Sequence, residues 1–357
     1  MNPSDIIRGR ILASGAISFA EFMDTALYGP GGFYEDPPVG EGGHFVTSPH
    51  VHPVFGLLLA RAVTQMWDAT GESGPPAIIE IGAGDGTLAS QLLAAIPDAH
   101  YEAVERSAGA RRQLSDRGIR AVGDLCELAP PRTAIVVANE LLDNLPFHRV
   151  RMTAAGLVEL LVDLDQDGFV ESEAPCPPGI AEQARGLSEN QEAAVCLRAL
   201  EFVGDLARIL GRGYALFIDY ERAPKEPRGG VHGYRSQRIT DDVLADPGTA
   251  DITAGVDFEA VARRAEAEGM TTFRRVSQRR ALLALGFDRW IDQERGVQAD
   301  LLNRGAGLEA VRTWSGRNAA HLLVDPTGLG DLRWMSIATR GLPPPPWADD
   351  APELDVD

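Results

Sequence analysis

Ile78-Ile79-Glu80-Ile81-Gly82-Ala83-Gly84-Asp85-Gly86 decides the fold. β-Branched isoleucines favour an extended strand, and the run closes on three glycines at alternate positions, Gly82, Gly84 and Gly86. Thr87 to Ala95 then reads as a helix. Glycine suits such a turn where φ is positive or where a ligand must meet bare backbone. The helix N-terminus behind it offers unpaired N–H groups.

The spacing narrows the ligand. A dinucleotide fingerprint reads G-x-G-x-x-G, whereas here the third glycine comes one residue early, which points to a nucleoside rather than a pyrophosphate. A second strand, Tyr101-Glu102-Ala103-Val104-Glu105, ends in a carboxylate about 20 residues beyond the glycines, where a ribose diol is bound. Glu105 is the expected ribose anchor, and Glu80 supports the turn.

At 357 residues the chain buries a sizeable core. With 33 basic and 52 acidic residues its net charge is −19, which argues against general nucleic-acid binding, because phosphates need basic surface. A local group of arginines, Arg263, Arg264, Arg274, Arg275, Arg279 and Arg280, reads as a solvated helix face. No apolar run approaches the ~18 residues of a membrane span, and Met1 to Ser18 lacks the apolar centre of a signal peptide. A cytoplasmic protein is expected. Cys126, Cys176 and Cys196 show neither paired nor metal-ligand spacing, so no structural metal is expected.

Residues 3–27 read as two helices, Ile6 to Ser14 and Phe19 to Leu27, with Ser18 and Glu21 spaced as a capping box. A glycine, proline and aromatic segment, Tyr28 to Tyr34, leads through Gly40 to Gly43 into Phe45-Val46-Thr47-Ser48-Pro49. Its aromatics need cover. That fits either a lid over the ligand, with Thr47 and Ser48 as cofactor contacts, or a packed surface loop. Pro53 to Ala69 has helical apolar spacing.

After Glu105, Ala108 to Arg117 reads as a helix and Ile119 to Val122 as a short strand ending at Gly123-Asp124. Ligands of parallel α/β sheets bind outside the carboxyl ends of the strands. Asp124 therefore either meets a base or caps the next helix. Ala134 to Ala138 is a continuous apolar run of the buried-strand kind. It ends in Asn139-Glu140-Leu141-Leu142-Asp143-Asn144-Leu145-Pro146, with four polar residues in six positions. This is the candidate reaction centre, unless Asn139 and Asp143 only cap a turn.

Residues 147–173 alternate as an inserted hairpin, and Glu192 to Leu210 reads as a helix. Another buried strand, Tyr214 to Ile218, ends in Asp219-Tyr220-Glu221. His232, in a glycine loop, reads as a loop residue, and Asp257 as the cap of the helix Phe258 to Glu268. The last strand is Arg333 to Thr339, and residues 342–357 read as a disordered tail. The expected divisions are an N-terminal extension and lid loop at 1–72, a main domain at 73–340 with an insertion at 147–212, and a tail at 341–357.

Alternating strands and helices with the ligand turn after the first strand resemble the class I methyltransferase fold, which binds S-adenosylmethionine. Further segments resemble one branch of it, the MidA-like methyltransferases, which include mitochondrial respiratory complex I assembly factors. The matching pieces are Gly32-Phe33-Tyr34, Phe45 to Pro49 with Phe55-Gly56, Glu80 to Leu88, Ala138 to Pro146, Ile218-Asp219-Tyr220, and Pro247-Gly248 with Asp251 to Phe258. Two places depart from the family pattern: Gly42-Gly43-His44 and His50 around the Thr47 run, and Leu141-Leu142 where phenylalanines are usual. Both lie on the substrate side of the expected site.

The resemblance implies an α/β fold with a mixed, mostly parallel Rossmann-like sheet and helices on both faces. It implies S-adenosyl-L-methionine as cofactor and S-adenosyl-L-homocysteine as product. The candidate cofactor contacts are then Glu80, Gly82, Gly84, Gly86, Glu105, Asp124, Asn139, Thr47 and Ser48. The implied acceptor is a protein arginine, with a respiratory-complex subunit as the partner known in the mitochondrial branch. A guanidinium, with a pKa above about 12, needs carboxylates to orient it and take a proton. Asn139, Glu140, Asp143 and Asp219 are the candidate catalytic residues, with Asp251 beside them. A small-molecule or peptide methyltransferase and a non-catalytic assembly factor are the alternatives. A nicotinamide oxidoreductase lacks its glycine fingerprint here. The oligomeric state is left open, a dimer included.

Overall fold

The computed structural model describes residues 2–35, 47–129, 132–223, 227–235, 238–240 and 242–348. Helix α1 (Pro3–Ser14) is capped by Asn2, whose side chain accepts the Ser4 N–H at 2.8 Å. Helix α2 (Phe19–Tyr28) begins with the expected capping box: Glu21 N–H donates to Ser18 Oγ at 3.2 Å and Ser18 N–H to Glu21 Oε2 at 3.0 Å. Residues 36–46, which include Phe45 and Val46 of the expected lid, lie outside the described residues.

After a short α3 (Ser48–Val51) and a long α4 (Val54–Thr70), strands and helices alternate. They are β1 (Ala77–Ile81), α5 (Thr87–Ala95), β2 (His100–Val104), α6 (Ala108–Asp116), β3 (Ala121–Val122) and β4 (Arg132–Asn139). The insertion follows as β5 (His148–Thr153), β6 (Gly156–Leu164), β7 (Phe169–Pro175) and β8 (Glu192–Val195). Then come α7 (Leu197–Ile209), β9 (Leu210–Asp219), β10 (Val231–Arg235), β11 (Asp251–Ala254), α8 (Phe258–Ala267), α9 (Gln278–Ala284), α10 (Phe287–Asn303), α11 (Gly307–Ala320) and β12 (Arg333–Ala338).

The main sheet has the order β12-β9-β4-β1-β2-β3, with the two-residue strands Thr271–Thr272 and Val276–Ser277 antiparallel on the free side of β12. β12 is antiparallel to β9, and the remaining neighbours in that order are parallel. The chain leaves β1 towards β2 and β3, then returns to the other side of β1 as β4. The order therefore reverses between β1 and β4, where such sheets open a ligand crevice. Side chains alternate across each strand. Ile135 and Val137 of β4 pack with α4, α9 and Trp334 on one face, while Ala134, Val136 and Ala138 pack with α7 and α8 on the other.

Four expectations change. Helix α4 is buried in the main core through Phe55, Leu58, Leu59 and Val63, so the body of the fold begins near residue 48 and not at 73. Residues 192–195, expected as helix, form strand β8 on the edge of β5, and the helix starts only at Leu197 with Cys196 as its N-cap. The cause is cross-strand pairing, with Glu192 accepting from Arg149 at 3.0 Å and from Arg151 at 2.7 Å. The insertion is thus a sheet, not a hairpin. Ile17 and Ser18 add to it beside β6, and Phe19, Phe22, Phe147 and Val162 form its own core.

The tail is the fourth, over residues 342–348; residues 349–357 lie outside the described residues. Leu342, Trp347 and Ala348 are buried in the main core, the Trp347 ring lies edge-on to Trp334 at 5.9 Å, and Tyr214 O–H donates to the Pro343 carbonyl at 2.8 Å. Composition averaged a proline-rich stretch and hid one large aromatic anchor. Trp347→Ala should cost about 3 kcal/mol of stability by cavity formation, read as a lowered thermal unfolding midpoint; an unchanged midpoint would show that the segment is not held. No helix among the described residues is long and apolar enough to cross a membrane.

Candidate active site

A cleft of about 1390 Å³ opens at the carboxyl ends of β1 and β4 and contains the glycine turn. All three glycines have positive φ: 73° at Gly82, 54° at Gly84 and 80° at Gly86. A Cβ at Gly84 would meet nothing within 4 Å, whereas one at Gly82 would come within 2.8 Å of Leu141 Cδ1. Gly84 is therefore bare backbone facing open space, as a bound nucleoside requires. Gly86 caps α5 and does not line the cleft.

Glu105 follows β2 and is buried. Its Oε2 accepts the Gly84 N–H at 2.9 Å and its Oε1 the Ser107 N–H at 2.7 Å, so the carboxylate ties the glycine turn to the next strand. Burial raises its pKa against these donors. Glu80 is buried beneath the turn and pushed up to about 8, mainly by burial, with the Tyr101 hydroxyl bonded to it. Asp124 is a helix cap, as one of its two readings expects, and it also lines the cleft. Its Oδ1 accepts the Cys126 N–H at 2.9 Å. That donor holds its pKa below the usual range.

Beyond β4 the wall becomes acidic. Glu140 sits at φ +50°, a strained conformation for a non-glycine residue. Its N–H donates to the Ile218 carbonyl at 2.7 Å, and its Oε1 accepts from Ser48 N–H at 3.0 Å and Asn139 Nδ2 at 3.1 Å. Burial pushes its carboxyl up to about 7. Asn139 Oδ1 and Asp143 Oδ1 are both buried with no hydrogen-bond partner. Asp251 is buried and pushed up to about 6 by burial, against donors from Tyr34 and Asn144.

Asp219 does not belong to this wall. Its Oδ2 accepts the N–H groups of Leu141, Leu142 and Asp143 at 3.1, 2.7 and 3.3 Å, and its Oδ1 that of Tyr220 at 2.8 Å. It is absent from the cleft lining. Burial raises its pKa to about 7, but four N–H donors favour the charged form. Asp219 carries the charge, and Asp143, with an oxygen lacking any donor and raised by burial and by Asp219, holds the proton. Asp219 is thus a positioning residue for the 140–143 turn, not a catalytic one. Ser48 is corrected likewise. It is fully buried, its hydroxyl bonded to Gln278 and its N–H to Glu140, while Thr47 lines the cleft.

The structure adds residues that sequence reasoning missed. Asp85, inside the glycine turn, accepts from Thr87 N and Oγ1 at 3.0 and 2.7 Å and lies 3.3 Å from His50 Nε2. Those partners hold its carboxyl at about 2 despite partial burial. His232 is in β10 rather than a loop and lines the cleft. Tyr28, Tyr34 and Asn144 reach it from α2, the segment after it, and the 140–145 turn. Asp85 lies between two glycines, Asn144 in the polar run after β4 and Tyr28 and Tyr34 in the aromatic segment of the expected lid, so these carried a local signal and His232 did not. The arginines of residues 263–280 are largely occupied elsewhere: Arg264 pairs with Glu268, Arg275 with Glu221 and Glu259, and Arg279 donates to the Val324 carbonyl.

Comparison with known proteins follows this geometry. Residues 58–276, more than half of the chain, match the family described as putative S-adenosyl-L-methionine-dependent methyltransferases. The chain is 29% identical over 324 residues to the mitochondrial protein arginine methyltransferase NDUFAF7 of Danio rerio, covering 79% of this chain and 76% of that protein. To NDUFAF7 of Homo sapiens it is 28% identical over 325 residues, covering 78% and 72%. A likely methyl transferase from Burkholderia thailandensis, crystallised with S-adenosyl-homocysteine, superposes with TM-score 0.82 at 28% identity, over 97% of this chain and 94% of that one.

Proposed function

We propose that this chain, which belongs to the S-adenosyl-L-methionine-dependent methyltransferase family matched above, methylates an arginine side chain of a protein. The carrying observation is the acidic wall. Glu140, Asp143 and Asp251 line the cleft, Asp143 and Asp251 buried and Glu140 partly so, and none pairs with an arginine or lysine among the described residues. Buried carboxylates without a cation are costly. A guanidinium entering the cleft supplies the missing charge and donors in a planar array that suits carboxylates. The arginine methyltransferase names of the relatives support the same acceptor.

Bound S-adenosylmethionine supplies an electrophilic methyl group on a sulfonium. The residues fit such a cofactor: Gly84 leaves its backbone cradle open, and Glu105 and Asp124 stand at the ends of the next two strands. The chain's own task is to orient the acceptor, exclude water and take a proton. As the guanidine nitrogen gains its methyl group, that nitrogen must lose a proton. In this reading Glu140, which lines the cleft with its carboxyl pushed up to about 7, accepts it.

Incubation with methyl-labelled S-adenosylmethionine and a cell lysate, followed by mass spectrometry, tests the reading. Label on methylated arginine is expected, with a respiratory-complex subunit the first acceptor to examine. Label confined to lysine, to a carboxyl group or to small molecules would reject arginine as the acceptor.

A further inference from the structure

We infer that Tyr28 and Tyr34 are positioning residues of the acceptor chamber, a stacked pair that fixes Asp251 and Asn144 from one end and rests on the ribose-binding segment at the other. The inference builds on the acceptor reading above and concerns how that wall is held.

The two rings stack at 5.5 Å with planes 19° apart. At the acceptor end, Tyr34 O–H donates to Asp251 Oδ1 at 2.9 Å and Tyr28 O–H to the Asn144 carbonyl at 3.1 Å. Asn144 Nδ2 completes the arrangement by donating to the same Asp251 oxygen at 2.9 Å. Asp251 is thereby clamped between the N-terminal segment and the turn that bears Glu140 and Asp143.

At the cofactor end, the residues immediately after Glu105 receive the same segment. The Arg106 guanidinium lies 4.8 Å from the centre of the Tyr28 ring and bonds Asp24 of α2 at 2.5 Å. Ser107 Oγ donates to the Tyr34 carbonyl at 2.5 Å, while the Ser107 N–H donates to Glu105. One stacked pair thus spans the strand end that holds the cofactor's ribose and the carboxylate that faces the acceptor. An N-terminal helix that only covered the core would not need both hydroxyls buried and aimed at the chamber.

The ionisable groups around the clamp are Asp143, Glu105 and Arg106, with Tyr234 opposite Asp251 on the paired strand β10. Burial and the neighbouring acids raise both tyrosines well above their ordinary values. Both phenols therefore remain donors at all working pH values. A donor to a carboxylate favours its charged form, so losing the Tyr34 hydroxyl moves Asp251 ionisation to higher pH.

The test uses full-length protein saturated with S-adenosylhomocysteine and titrated calorimetrically with N-acetyl-arginine N-methylamide, with the lysine analogue as control. Tyr34→Phe keeps the ring and deletes only the hydroxyl. It should weaken binding of the preferred cation about tenfold, the scale of one hydrogen bond to a charged group. The pH at which cation binding sets in should also rise. Tyr28→Phe, which loses a bond to a neutral carbonyl, should weaken it only about threefold. Affinity for S-adenosylhomocysteine should stay within about twofold in both.

Unchanged cation binding in Tyr34→Phe overturns the inference. So does a parallel loss of cofactor affinity and thermal stability, which marks a purely structural role. Wild-type protein that prefers the lysine analogue rejects the arginine reading instead, while the effect of Tyr34→Phe on that cation still decides the clamp.

Discussion

Gly84→Val should abolish cofactor binding, lowering affinity for S-adenosylhomocysteine at least a hundredfold, about 2.7 kcal/mol, while the circular dichroism spectrum is unchanged. Gly84 has φ +54°, and the direction of its missing Cβ is open space in the cleft. A branched side chain there is strained in the left-handed region and occupies the volume above the turn. The N–H of the same residue donates to Glu105, so any backbone shift that relieves the strain also displaces that carboxylate. Gly84→Val protein that binds S-adenosylhomocysteine within threefold of wild type would place the cofactor elsewhere.

The second large effect is at Glu140. Glu140→Gln should lower kcat by about a hundred- to a thousandfold, the scale of general-base loss, with S-adenosylhomocysteine affinity unchanged. Glutamine keeps an oxygen to accept the Ser48 and Asn139 donors, so the turn should stay folded. It cannot take a proton. In the wild type, the rate should rise with pH through about 7 as the carboxyl ionises, and Glu140→Gln should lose that rise. The stability effect has the opposite sign. The folded pKa lies above the ordinary carboxyl value, so between about 4.5 and 7 the native state holds more protons than the unfolded one. The contribution of Glu140 to stability is complete below that window and is lost as pH rises through it. A full turnover rate in Glu140→Gln would remove this residue from the chemistry.

Legibility followed the range of the interactions. The glycines at 82, 84 and 86 and the acid at 105 were readable because a strand, its turn and the next strand are local units, and positive φ selects glycine directly. Strand β4 and its polar end were readable for the same reason. Asp219 looked catalytic because it too follows a buried strand. That it spends both oxygens on backbone N–H groups of the neighbouring turn depends on the parallel register of β9 against β4. Ser48 looked like a cofactor contact, and only its distant partner, Gln278, shows that it is structural. Trp347 was masked by the prolines around it, since a segment's composition does not reveal which core its one aromatic fills.

The sequence by itself determined the cofactor turn, the parallel α/β order and the methyltransferase resemblance, because each is written in residues close along the chain. Only the tertiary structure brought Asp251 into the acidic wall beside Glu140 and Asp143. Glu140 and Asp143 share one turn and Asp251 comes from a distant strand; burial raises all three, and neighbouring carboxylates raise Asp143 further. The Tyr34 hydroxyl that bonds Asp251 arrives from 217 residues away along the chain. A carboxylate's environment is a property of the folded interior, and no local pattern of residues encodes it.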